Sequence, residues 1–75
     1  MEMDLMNAQL GKEHKILHID AHDPELEAFL FSLGCYTGKC ITVVSRLKSG
    51  CTVAIKDGRY HIDSNLASAI CVEAQ

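Results

Sequence analysis

The sequence predicts a mainly β protein with short helices, in which about five short strands curve into a small, partly open barrel. Three observations predict it. β-branched residues crowd the stretch KCITVVSRL (39–47), and strict alternation runs through CTVAIK (51–56), with Cys51, Val53 and Ile55 on one side. Two turn signals, KSG (48–50) and DG (57–58), punctuate the second half at hairpin spacing. With 75 residues, 48% hydrophobic and 23% charged, the chain has apolar surface for one small core and is expected to form a single unit over 1–75.

The elements follow in order. Residues 1–12 are weakly patterned and end near Gly11, so they read as a loose lead-in that docks by Leu5 and Leu10. EHKILHID (13–20) is the first strand. Asp23 precedes Pro24, an N-cap followed by proline at the first helical position, and a helix starts there. Leu26, Phe29, Leu30 and Leu33 fall at i, i+3, i+4 and i+7 and predict one apolar stripe facing the core, while Glu25 and Glu27 suit the helix N-terminus. Gly34 ends the helix. The second and third strands are KCITVVSRL and CTVAIK, joined through KSG, and the pair Asp57–Gly58 turns the chain into RYHID (59–63), with Tyr60 and Ile62 inward. SNLASA (64–69) makes a helical turn capped by Ser64, and AICVE (69–73) closes with Ile70 and Val72 inward.

Charge and cysteine usage narrow the function. The net charge is −3 and the seven Lys and Arg residues form no run, which argues against a nucleic-acid surface. No stretch approaches the roughly 18 apolar residues that span a bilayer, and MEMDLMNAQLG lacks the basic start of an export signal, so the expected location is the cytoplasm. Cys35, Cys40, Cys51 and Cys71 then read as reduced thiols packed as small hydrophobes. Their spacing is not that of a zinc site, which pairs ligands twice over.

The stretch HKILHIDAHDP (14–24) raises a metal question, because His14, His18 and His22 recur every fourth residue. On a helix that spacing would stack three imidazoles for zinc or iron. On a regular strand His14 and His18 share a face about 13 Å apart along it, too far for one ion. The strand-like run before Pro24 favours the second arrangement, with solvent-facing histidines; His61, outward on its own strand, reads the same way. A catalytic cysteine would need a base and an oxyanion site, and nothing marks either beside Cys35. GCYTGK (34–39) is not a phosphate-binding loop, since its second glycine comes too early and Lys39 opens a strand. The chain therefore reads as a non-enzyme. Phe31, off the helix stripe, and Tyr36, in the loop after it, are the candidate contact residues for a partner, as an exposed apolar patch.

Taken in order and spacing, LEAFLFSLGCYTGKCITVVSRL, GCTVAIKDGRYHID and LASAICVE resemble the FeoA family of ferrous iron transport accessory proteins. The landmarks are the Leu33–Gly34 helix end, the glycines Gly38 and Gly58 at turns, and the closing Ala67, Ile70 and Val72. The resemblance spans roughly residues 5–74. It implies an SH3-like barrel and a regulatory contact with the cytoplasmic part of the FeoB ferrous iron permease, and no cofactor. Similar domains end the metal-dependent repressors of the DtxR type. The chain departs from the family pattern at Cys35 and Thr37, where an aliphatic residue and a proline are usual, and at Ala28 and Phe29, where basic residues are common. Two other readings are a module that binds Fe(II) or Zn(II) through His14, His18, His22 or His61, and a peptide-binding SH3-like module unrelated to iron.

Overall fold

The computed structural model describes residues 2–20 and 23–74. Six strands and two helices run in the order β1 (Glu2–Asp4), β2 (Glu13–Ile19), α1 (Pro24–Ser32), β3 (Cys40–Leu47), β4 (Gly50–Ile55), β5 (Gly58–Asp63), α2 (Ser64–Ala69) and β6 (Ile70–Glu73). The strands form one antiparallel sheet ordered β1-β6-β2-β3-β4-β5. The β2 to β5 meander is local, whereas β6 crosses back to lie between β1 and β2. The sheet wraps a core of Ile16, Ile41, Val43, Cys51, Val53, Ile55, Ile62, Ile70 and Val72, all on inward positions of their strands.

The lead-in is more ordered than its sequence suggested. Residues 2–4 form a sixth strand that pairs with β6 in the register Glu2↔Glu73, Met3↔Val72 and Asp4↔Cys71. Asp4 then ends the strand, its Oδ1 accepting from the Met6 N–H at 2.9 Å and from the Asn7 side-chain amide at 2.9 Å. Leu5 and Ala8 are fully buried, but Leu10 is exposed and does not dock. The segment is tied down by Arg46, which donates from Nη1 to the carbonyls of Leu5 at 3.3 Å and Ala8 at 2.5 Å. A three-residue strand carries no periodic signal, so only the partner strand shows it.

Strand β2 contains a bulge between Ile16 and His18. The extra residue breaks the two-residue alternation, so His14 and Ile16 point into the core while His18 is exposed. The two histidines therefore lie on opposite faces rather than sharing one, and His14 is not solvent-facing. Its side chain is 1% exposed, with Nδ1 3.1 Å from the Glu73 carbonyl oxygen and Nε2 3.3 Å from that of Gln9.

The turns also shift by a residue. Strands β4 and β5 pair through Ile55↔Gly58, which leaves Lys56 and Asp57 as the loop, with Lys56 rather than a glycine at positive φ (54°). Gly58 is the first strand residue, and the Tyr60 hydroxyl occupies the space a side chain there would take. The preceding hairpin turns on Lys48 and Ser49; Gly50 opens β4, where a Cβ would collide with the Ile62 carbonyl oxygen. Helix α2 is capped by Asp63, whose Oδ1 accepts from the Leu66 N–H at 2.7 Å, and not by Ser64.

Candidate protein-docking face

Helix α1 starts as its sequence dictates, with Asp23 Oδ1 accepting from the Glu25 N–H at 2.9 Å and Pro24 in the first turn. It ends in a Schellman motif. The Cys35 N–H donates to the Leu30 carbonyl at 2.9 Å and the Gly34 N–H to the Phe31 carbonyl at 3.0 Å, with Gly34 at φ 89°. That reversal drives Leu30 and Cys35 into the core as a pair and places Tyr36 back beside the helix.

The apolar stripe expected to face the core does so only at Leu30 and, partly, Leu33. Leu26 is 41% exposed and Phe29 51%, because α1 stands off the barrel and touches it mainly through its last turn. Phe31, at 64%, is more exposed still. Its ring stacks on Tyr36 with centroids 4.8 Å apart and planes tilted by 30°, and Lys39 holds its ammonium 5.4 Å from the Tyr36 ring centre. Phe31 is the ridge between three hollows. The largest, 600 Å³, runs from Phe31 and Tyr36 to the β4–β5 loop at Lys56 and Asp57, with Tyr60 in its wall. A second, of 430 Å³, lies against Pro24, Glu27 and Ala28. The third, 200 Å³, is bounded by His18, Ile19, Glu27 and Thr37 and floored by Cys35. Such a face, apolar at the centre with charges at its margin, is suited to contact with another macromolecule.

The other candidates part company. His14 has both ring nitrogens on backbone carbonyl oxygens, so it serves the fold; a neutral imidazole donates to one of them and an imidazolium to both. His18 lines the smallest hollow, and His61 Nδ1 lies 3.3 Å from Thr52 Oγ1 on the far sheet face. His22 lies outside the described residues. Among the described residues, no three His, Cys, Asp or Glu side chains converge on a common point that would suit Fe(II) or Zn(II). Asp20, Asp23 and Asp63 border a further hollow with Leu26 and Leu66, but Asp23 and Asp63 are occupied as helix caps. Gly34 and Gly38 (φ 93°) sit at turns, and Gly58 does not.

No disulfide forms among the described cysteines, and Cys35, Cys40 and Cys51 are all shifted away from the thiolate. Burial pushes the Cys35 thiol up to about 11. Cys51 is raised by burial too, with the Arg46 guanidinium pulling the other way. Cys40 is exposed on β3 but also raised, first by loss of water around its sulfur and then by the Glu13 carboxylate, against Lys15 and Lys39. A nucleophilic cysteine needs the opposite shift. Sequence reasoning missed Leu26 and Phe29 as surface residues, since helical spacing shows which residues share a face but not what that face meets. It also missed Lys56 and Tyr60, whose place beside the helix depends on long-range packing.

Among the described residues no helix is long and apolar enough to cross a membrane. No curated protein sequence matches the chain. Among solved structures, an iron uptake regulatory protein (FeoA) superposes with a TM-score of 0.84 at 22% identity, over 97% of this chain and 96% of that one. Iron(II) transport protein A from Clostridium thermocellum gives 0.85 at 22% identity, over 96% of this chain and 45% of that one. A manganese-dependent transcriptional repressor gives 0.86 at 23% identity, with 96% of this chain covering 40% of the repressor. These likenesses establish the partly open SH3-like barrel. The FeoA domain family matches residues 3–74, nearly the whole length, and the chain belongs to that family.

Proposed function

We propose that this chain is a non-enzymatic accessory protein of ferrous iron uptake, which works in the cytoplasm by binding the cytoplasmic part of a FeoB-type permease. Membership of the FeoA family supports the pathway. The observation that carries the contact is the Phe31–Tyr36 stack, held in solvent by a rigid helix end with hollows on three sides. Aromatic side chains raised beside pockets are what protein interfaces use as anchors, because each buries a large area with few rotatable bonds. Among the described residues nothing beside them resembles a catalytic constellation, and Cys35, in the floor of the smallest hollow, is held protonated by burial.

Co-purification with the permease from detergent-solubilised membranes, in each guanine-nucleotide state, tests the proposal. The intact chain is expected to be retained, and Phe31→Asp and Tyr36→Asp to be lost while keeping the wild-type circular dichroism spectrum. Failure of the intact chain to bind in any nucleotide state sinks the reading.

A further inference from the structure

The charges around the Phe31 ridge have an order that the docking face alone does not require. Glu27 lies one helical turn before Phe31, about 6 Å along the axis, and lines the two hollows on that side. Beyond Phe31 the helix ends at Gly34. The last turn of α1 has no basic residue of its own, and Lys56 of the β4–β5 loop supplies the positive charge there. Its side chain lies alongside Gly34, with Cε 3.5 Å from where a Cβ on that glycine would stand, and it lines the largest hollow. Lys39 adds a second ammonium over Tyr36. An acid and a base thus line different hollows around one apolar ridge.

That order is self-complementary. A two-fold axis through the ridge brings a second α1 antiparallel to the first. Each Glu27 then faces the other copy's Lys56, and each Phe31 enters the hollow beside its counterpart. Antiparallel helices also bring opposite dipole ends together. We propose that a second copy of this chain covers the α1 face, forming an isologous dimer with Phe31 at its centre and two symmetry-related Glu27–Lys56 ion pairs at its margin. Asp57 lines the same hollow as Lys56, and the two ammonium groups of Lys56 and Lys39 outnumber it there, so the partner's Glu27 meets a face with an excess of positive charge. One aromatic anchor per copy and two marginal ion pairs per dimer make a weak interface, of roughly micromolar strength. It excludes any other occupant of the same face, yet it stands or falls on the purified chain alone, whether or not a permease binds there.

The test is sedimentation equilibrium of the purified chain from about 1 μM to about 1 mM. Wild type is expected to pass from one to two chains across that range, and Phe31→Asp to weaken association by at least about tenfold. The reversals Glu27→Lys and Lys56→Glu, both at exposed positions, are each expected to weaken self-association as far. Mixed together they restore it, because every facing pair in the mixed dimer is again opposite in sign. A wild type that stays monomeric to about 1 mM overturns the proposal, as does self-association that survives Phe31→Asp. Equal weakness of the mixture and of each reversed variant alone overturns the assigned pairing and the proposal with it.

Discussion

At the scale of single residues, large stability effects are expected where a side chain satisfies buried backbone groups or a glycine leaves room for them. His14→Leu stays apolar and close in size in the core but leaves at least one of the Gln9 and Glu73 carbonyls without its donor, and is expected to cost about 2 kcal/mol in urea unfolding. Gly50→Ala forces a Cβ onto the Ile62 carbonyl oxygen and is expected to cost more, about 3 kcal/mol or the fold itself, by the same measurement. Cys35 makes a prediction in pH. Its folded thiol sits near 11 against an ordinary value of 9.0, so above pH 9 the unfolded chain releases a proton that the folded chain keeps. Stability is therefore expected to fall as pH rises from about 9 and to level off near 11, and Cys35→Ala should show a shallower fall over that window. The histidine pattern was legible as a strand, but its bulge was not. A bulge is one unpaired residue, set by the register of β6, and nothing in HKILHID marks it.

At the scale of elements, α1 and the lead-in show where pattern and packing diverge. The helix boundaries, its Asp23 cap and its Gly34 ending were readable, because these are satisfied within a few residues by groups the sequence names. The destination of its apolar stripe was not. Leu30→Ala is expected to cost about 2–3 kcal/mol by thermal or urea unfolding, whereas Phe29→Ser and Leu26→Ser should stay within about 0.5 kcal/mol. Equal costs at the three sites would mean that α1 packs flat on the barrel. For α2, Asp63→Ala is expected to cost about 1 kcal/mol and Ser64→Ala to be nearly neutral, since the Asp63 carboxylate caps the helix. Arg46 acts as a strap on the lead-in. Removing it by Arg46→Ala should speed amide exchange at Leu5 and Gly11 well before the meander is affected, as expected for a local opening.

At the scale of the whole molecule, the sheet was legible where neighbours in sequence are neighbours in space. The meander from β2 to β5 follows from alternation and turn residues, and its inward set of Cys51, Val53, Ile55 and Ile62 matches the buried core. The placement of β1 and β6 was not legible, because a crossover joins strands that no local signal connects. The candidate docking face was half legible for the same reason. Phe31 and Tyr36 are five residues apart and could be paired by eye, whereas Lys56 reaches the same face from a distant hairpin. Deleting residues 1–10 removes β1 together with the buried Leu5 and Ala8, and is expected to lower the urea midpoint sharply, with exposed dye-binding surface along β6.

The position of β6 has a consequence for how the chain is made. It lies between β1 and β2, yet it is synthesised after every other element here. On the ribosome, β1 has no strand to pair with and the Ile16 side of β2 stays open until Ile70 to Glu73 have left the exit tunnel. A nascent chain halted before Ile70 would hold its first strand unpaired and its core unsealed, an easy substrate for proteases. Closure of the barrel therefore waits on Ile70–Glu73, and the first and last strands of the domain are sealed in one step.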